Sequence, residues 1–108
     1  MHSYLLVFDD STISRQELIA HIDRLGAVAN WMAFLPSAVA LISPLSAHDL
    51  SAALRERRSG MRFLLSRLDP KATDGLLPAE VWSFLNDPAA VPGASGRVPQ
   101  TSLTRRSA

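Results

Sequence analysis

The chain contains no cysteine, which excludes a disulfide framework, a thiolate zinc site and a cysteine nucleophile together. Glycine is sparse, with five in 108 residues, and no run of it cradles a phosphate; no serine sits in a G-x-S-x-G elbow either. Charged residues are only 19% of the chain against 47% apolar, the balance of a sequence that packs a core rather than a disordered one. At this length one domain with one core is expected. The first residues lack a basic segment and a small-residue cleavage pattern, so a cytoplasmic protein is expected.

Leu25 to Ala47 carries no Asp, Glu, Lys or Arg and is long enough to cross a bilayer. Asn30, Pro36-Ser37 and Ser43-Pro44 interrupt it, and buried strands also read as nearly continuous apolar runs, so two strands about a turn are expected there and no membrane span. Charge is divided along the chain. Residues 1–87 hold eight basic and ten acidic side chains, whereas 88–108 hold Arg97, Arg105 and Arg106 and no acid. A slightly acidic folded part argues against a large nucleic-acid footprint, which draws on clustered Lys and Arg.

What is present is an ordered series of local signals. Tyr4 to Phe8 is rich in strand formers and stops at Asp9-Asp10-Ser11-Thr12, a cluster of turn and cap residues. Ser14 followed by Glu17 is the spacing of a helix-opening capping box; Leu18, Ile22 and Leu25 then recur at helical spacing, and Gly26 is placed to end the helix. Val28–Leu35 and Ala38–Ser43 predict an antiparallel hairpin about Pro36-Ser37. Strand alternation puts Trp31, Ala33 and Leu35 on one face of its first arm and Asn30, Met32 and Phe34 on the other. Both faces are mainly apolar, which predicts helices over one and a second subunit or a further element over the other.

Ser46 and Asp49 mark a second helix start, with Ala47, Leu50, Ala53 and Leu54 as its stripe and Ser59-Gly60 as its stop. Met61 to Leu68 predicts a fourth strand ended by Asp69-Pro70. After a loop at Thr73-Asp74-Gly75, Pro78 suits the first turn of a short helix that turns Val81, Trp82 and Leu85 inward. The order strand, helix, strand, strand, helix, strand predicts an α+β, ferredoxin-like βαββαβ domain over residues 1–87. Its four-stranded antiparallel sheet has helices on one face, with a short C-terminal helix added. Residues 88–108, rich in Pro, Gly, Ala and Ser, read as a disordered basic tail.

Four sets of residues bear on chemistry. Asp9 and Asp10 are the only adjacent carboxylates. One carboxylate is a poor magnesium site, a dimer supplies a second by symmetry, and the plainer reading is a solvated strand end feeding a helix cap. His2, His21 and His48 have no metal-ligand spacing and read as surface or capping residues. Arg55, Arg57, Arg58, Arg62 and Arg67 gather positive charge around the second helix end and the fourth strand. They form either a phosphate-contacting patch or helix C-capping on a solvated face. Trp31 and Trp82 lie in apolar settings without basic neighbours and read as core or interface anchors.

Residues 4–87 resemble a group of small bacterial proteins labelled SinR-like, of unknown function. The resemblance is carried by Tyr4-Leu5-Leu6-Val7-Phe8-Asp9, by Asn30-Trp31 with Leu35-Pro36-Ser37 and Val39-Ala40-Leu41-Ile42, and by Gly75-Leu76-Leu77-Pro78-Ala79-Glu80-Val81-Trp82. That group is similar in plan to the small dimeric subunit of the CRISPR spacer-acquisition complex and to toxin-type endoribonucleases. The resemblance implies a homodimer in which Asp9 lies near its mate, and in some relatives this aspartate serves metal-dependent phosphodiester cleavage. The loop after Asp9 lacks the basic residues usual in those nucleases. The expectation is therefore a noncatalytic homodimeric binding module. The alternatives are an endonuclease acting on RNA or DNA with Mg2+ or Mn2+ on paired Asp9 side chains, and a sequence-independent nucleic-acid binder using Arg55, Arg57, Arg58 and Arg62.

Overall fold

The computed structural model describes residues 1–56 and 58–86 together with the backbone of residues 103–106. Strand β1 (His2–Phe8) alternates as its sequence demands: Tyr4, Leu6 and Phe8 are buried on one face, and Leu5 and Val7 point to the other. Helix α1 (Arg15–Leu25) opens on the expected box, with Ser14 Oγ accepting from the Glu17 amide at 3.1 Å and Glu17 Oε1 accepting from the Ser14 amide at 3.4 Å. It ends at Gly26, where φ is +68°, a left-handed conformation that a side chain disfavours.

Strands β2 (Asn30–Leu35) and β3 (Ala38–Ser43) form the hairpin. Helix α2 (Ala47–Glu56) starts where Ser46 Oγ accepts from the Asp49 amide at 3.1 Å, and it buries Leu50 and Leu54. Gly60, with φ +85°, turns the chain into β4 (Phe63–Arg67). The sheet order is β2-β3-β1-β4 with every pair antiparallel, which makes the domain α+β and compatible with the ferredoxin-like plan. The uncharged run from Leu25 to Ala47 is thus a helix end, a hairpin and a loop, and no helix among the described residues is long and apolar enough to cross a membrane.

Each face of the sheet carries its own core. On one, Tyr4, Leu6, Phe8, Trp31, Ala33, Val39 and Leu41 pack with Leu18 and Ile22 of α1 and with Leu50 and Leu54 of α2. On the other, Met32, Ala40 and Ile42 pack with Val81, Trp82, Phe84 and Leu85 of α3 (Ala79–Asn86). Ser3 Oγ donates to the Leu85 carbonyl at 3.0 Å and ties that helix to β1. The hairpin's second apolar face is therefore covered by a further element of the same chain, and a second subunit is not needed to bury it.

Two expectations change in detail, and a third falls largely outside the described residues. A one-residue register shift between Met32 and Leu35 sets Leu35 opposite Ala38, so the bulge moves Leu35 off the face it would share with Trp31 and Ala33. A short strand, β5 (Gly75–Pro78), precedes α3, so Pro78 ends a strand instead of entering the helix. The stretch expected to be a disordered tail lies outside the described residues except for Leu103–Arg106, whose backbone forms β6, antiparallel to β5.

Candidate functional site

Asp9 leaves β1 in a loop that its own carboxylate organises. Oδ1 accepts from the Ser11 amide at 3.0 Å and from Ser11 Oγ at 2.7 Å, and the backbone carbonyl accepts from Thr12 Oγ1 at 2.8 Å. Thr12 Oγ1 in turn accepts from the Arg62 amide at 3.0 Å, and the Asp9 amide donates to the Arg62 carbonyl at 2.9 Å. The loop is stitched to the start of β4. The Ser11 hydroxyl, then the Ser11 amide and the nearby Arg62 guanidinium, hold the Asp9 carboxyl below the usual carboxylate range. These are the bonds of a loop cap.

A divalent cation asks for several convergent oxygen ligands. Among the described residues no group of three or more His, Asp or Glu side chains is placed to hold one, and one Asp9 oxygen is already committed to Ser11. The described side chains of one copy do not fit a magnesium or manganese ion.

His21 is buried, and its Nε2 lies 2.8 Å from the Leu54 carbonyl. A carbonyl only accepts, so Nε2 carries the proton and His21 satisfies one of the last free carbonyls of α2. Trp31 is likewise a core residue whose indole N–H donates to Asp23 Oδ1 at 2.8 Å.

Among the described residues, Arg58 and the pair Arg55 and Arg62 line different grooves. Arg58 turns to α1 and pairs with Glu17 at 2.9 Å. It shares a groove of about 400 Å³ with His21, Arg24, Leu25, Ala53 and Glu56, where Glu56 on the lining and Glu17 paired with Arg58 offset the positive charge. Arg57 lies outside the described residues. Arg55 and Arg62 instead meet in a second groove, of about 500 Å³, between α2 and β4, with Ser51, Met61, Phe63, Leu64 and Leu65 as its other walls. Two guanidiniums without a carboxylate among the lining residues make this the more clearly positive depression. Nothing in the sequence announces it, because an edge is a property of topology. The one trace is Leu64, an apolar side chain between Arg62 and Ser66 on a strand's polar face.

Ser14, then Arg58, lowers the Glu17 carboxyl. A group whose pKa is depressed by folding stabilises the native state above its unfolded value, and that contribution is lost as pH falls through the folded value. Glu17→Gln keeps the capping acceptor and deletes the charge. The wild type is therefore expected to be the more stable at pH 7, with the difference closing as pH drops from about 4.3, the ordinary glutamate value, to below the folded one. Urea unfolding of both proteins at pH 7 and pH 3 measures it; an equal gap at both would remove the charge from the capping interaction.

The last feature is an apolar surface. Val7 and Leu64 are direct cross-strand partners, exposed by 37% and 65%, on the same face that α3 covers farther along. Half-buried Leu5 adjoins them through β1, and bulge-shifted Leu35 is 44% exposed opposite Ala38. No known protein family, curated protein or solved structure matches the chain. The reading of function therefore rests on these surfaces and their chemistry.

Proposed function

We propose that the protein is a noncatalytic binding module that works as a homodimer, its two copies meeting through the part of the sheet face that α3 leaves open. The observation that carries this reading is the Val7–Leu64 pair, two large apolar side chains side by side on an exposed strand pair. Contiguous exposed apolar groups on a small domain mark interaction sites. A two-fold interface brings a patch against itself, so it must be self-complementary. Leu5, Val7, Leu35, Leu64 and Ser66 bear no charge that would repel its own copy.

The resemblance of residues 4–87 to the SinR-like group agrees with a dimer. It does not extend to catalysis, since the Asp9 carboxylate is spent on its own loop.

Light scattering coupled to size exclusion at tens of micromolar tests the reading. The wild type is expected to run as a dimer and Leu64→Asp as a monomer. The mutant's melting is expected to stay near that of a wild type diluted to monomer, because Leu64 contributes little to the chain's own core. A monomeric wild type, or a dimer that survives Leu64→Asp, would sink it.

A further inference from the structure

Strand β4 is an edge of the sheet, and its hydrogen-bonding direction follows from two bonds. The Asp9 amide donates to the Arg62 carbonyl and the Leu68 amide to the Ser3 carbonyl, both at 2.9 Å. In an antiparallel pair, residues that bond to the neighbouring strand alternate with residues that turn away. Arg62, Leu64, Ser66 and Leu68 therefore point their backbone groups at β1. Phe63, Leu65 and Arg67 point theirs outward, where no described strand pairs with them.

Such a row is a template for another strand. Edges are commonly blunted by charge or by a covering element. Here the edge opens on a depression: the groove between β4 and α2 is lined by Ser51 and Arg55 of α2 and by residues 61–65 at the start of β4.

We propose that the β4 edge is a docking site for an extended, acidic peptide segment of a partner protein, which adds to the sheet as a fifth strand. The main-chain groups of Phe63, Leu65 and Arg67 supply affinity, as in other strand-addition complexes. Because side chains of an added strand alternate, one set turns toward α2 and the other toward the opposite face of the sheet. The groove's two guanidiniums and lack of lining carboxylates select a partner with Asp or Glu at the positions that enter it. This goes beyond the dimer reading and does not rest on it, although the two surfaces share Leu64.

The probe is a fluorescein-labelled synthetic peptide of seven residues, alternating valine and glutamate, titrated with the full chain and read by polarisation. Three comparisons decide the outcome. A peptide with lysine for glutamate is expected to bind about tenfold more weakly or worse. A peptide N-methylated at alternate residues, on the side that would face β4, is expected to lose binding, because it keeps every side chain and loses the ladder donors. Arg55→Glu is expected to weaken the parent peptide by about tenfold and leave melting nearly unchanged, because Arg55 is exposed.

Equal binding of the N-methylated peptide would show that no ladder forms. Equal binding by Arg55→Glu and by the lysine peptide would remove the groove. Absence of parent-peptide binding, or peptide binding that occurs only by displacing a second copy of the chain, would also overturn the proposal. Repeating the titration with Leu35→Asp, a substitution on β2 in the dimer surface and outside the groove, keeps the two readings apart, since edge binding then survives failure of the dimer.

Discussion

Phe84→Ala is expected to lower the stability of the isolated chain by about 3–5 kcal/mol, the range for truncating a buried phenylalanine where the cavity collapses only partly. Phe84 is fully buried in the smaller core, with Val81, Trp82 and Leu85 from α3 and Met32, Ala40 and Ile42 from the hairpin. Such a loss corresponds to a fall in Tm on the order of 15 °C for a domain of this size. Chemical and thermal unfolding measure it, at a concentration where the chain is monomeric. The result matters for function as well as stability. If α3 were a loosely docked appendage, Phe84→Ala would change little, the whole second face of the sheet would be available to partners, and the small Val7–Leu64 surface would lose its significance.

Leu54→Ala probes the opposite face and is expected to cost about 2–5 kcal/mol. Leu54 is fully buried where α2 meets α1 and the sheet, and its carbonyl receives the His21 imidazole, so the helix end is fixed by packing and by a hydrogen bond at one residue. The two substitutions fall in separate clusters with no shared residue. Their effects are expected to add in the double mutant to within about 0.5 kcal/mol. A larger coupling, read from the same unfolding curves, would mean that the sheet transmits strain between the cores and that the two faces do not pack independently.

These assignments show which parts of the fold are written locally. Ser14 with Glu17, Gly26, and Ser46 ahead of Asp49 act on backbone groups within one turn, and the structure places every one of them at a helix end. The strand order then follows from the succession of elements. By contrast, the hairpin's second apolar face is legible but its cover is not, since an apolar stripe such as Val81-Trp82-Leu85 carries no address. The bulge that displaces Leu35 arises from fitting β2 to β3, and strand β5 is too short to show a period. At the candidate site, Asp9 as a loop cap was readable because Ser11 and Thr12 follow it directly. How the arginines divide was not legible: Arg55, Arg58 and Arg62 are close in sequence, but α2 ends at Glu56 and the chain turns at Gly60, so Arg58 pairs with Glu17 of α1 while Arg55 and Arg62 line one groove.

The position of β1 has a consequence for the order of events in folding. The strand made first lies between β3 and β4, so it stays without a neighbour on either side until the chain has grown to residue 43 on one flank and 67 on the other. Ring closures of that span slow the search for the native state relative to helical bundles. The apolar side chains of Leu5, Leu6 and Val7 therefore find their sheet neighbours only after the strands on both flanks, which follow in sequence, have been made.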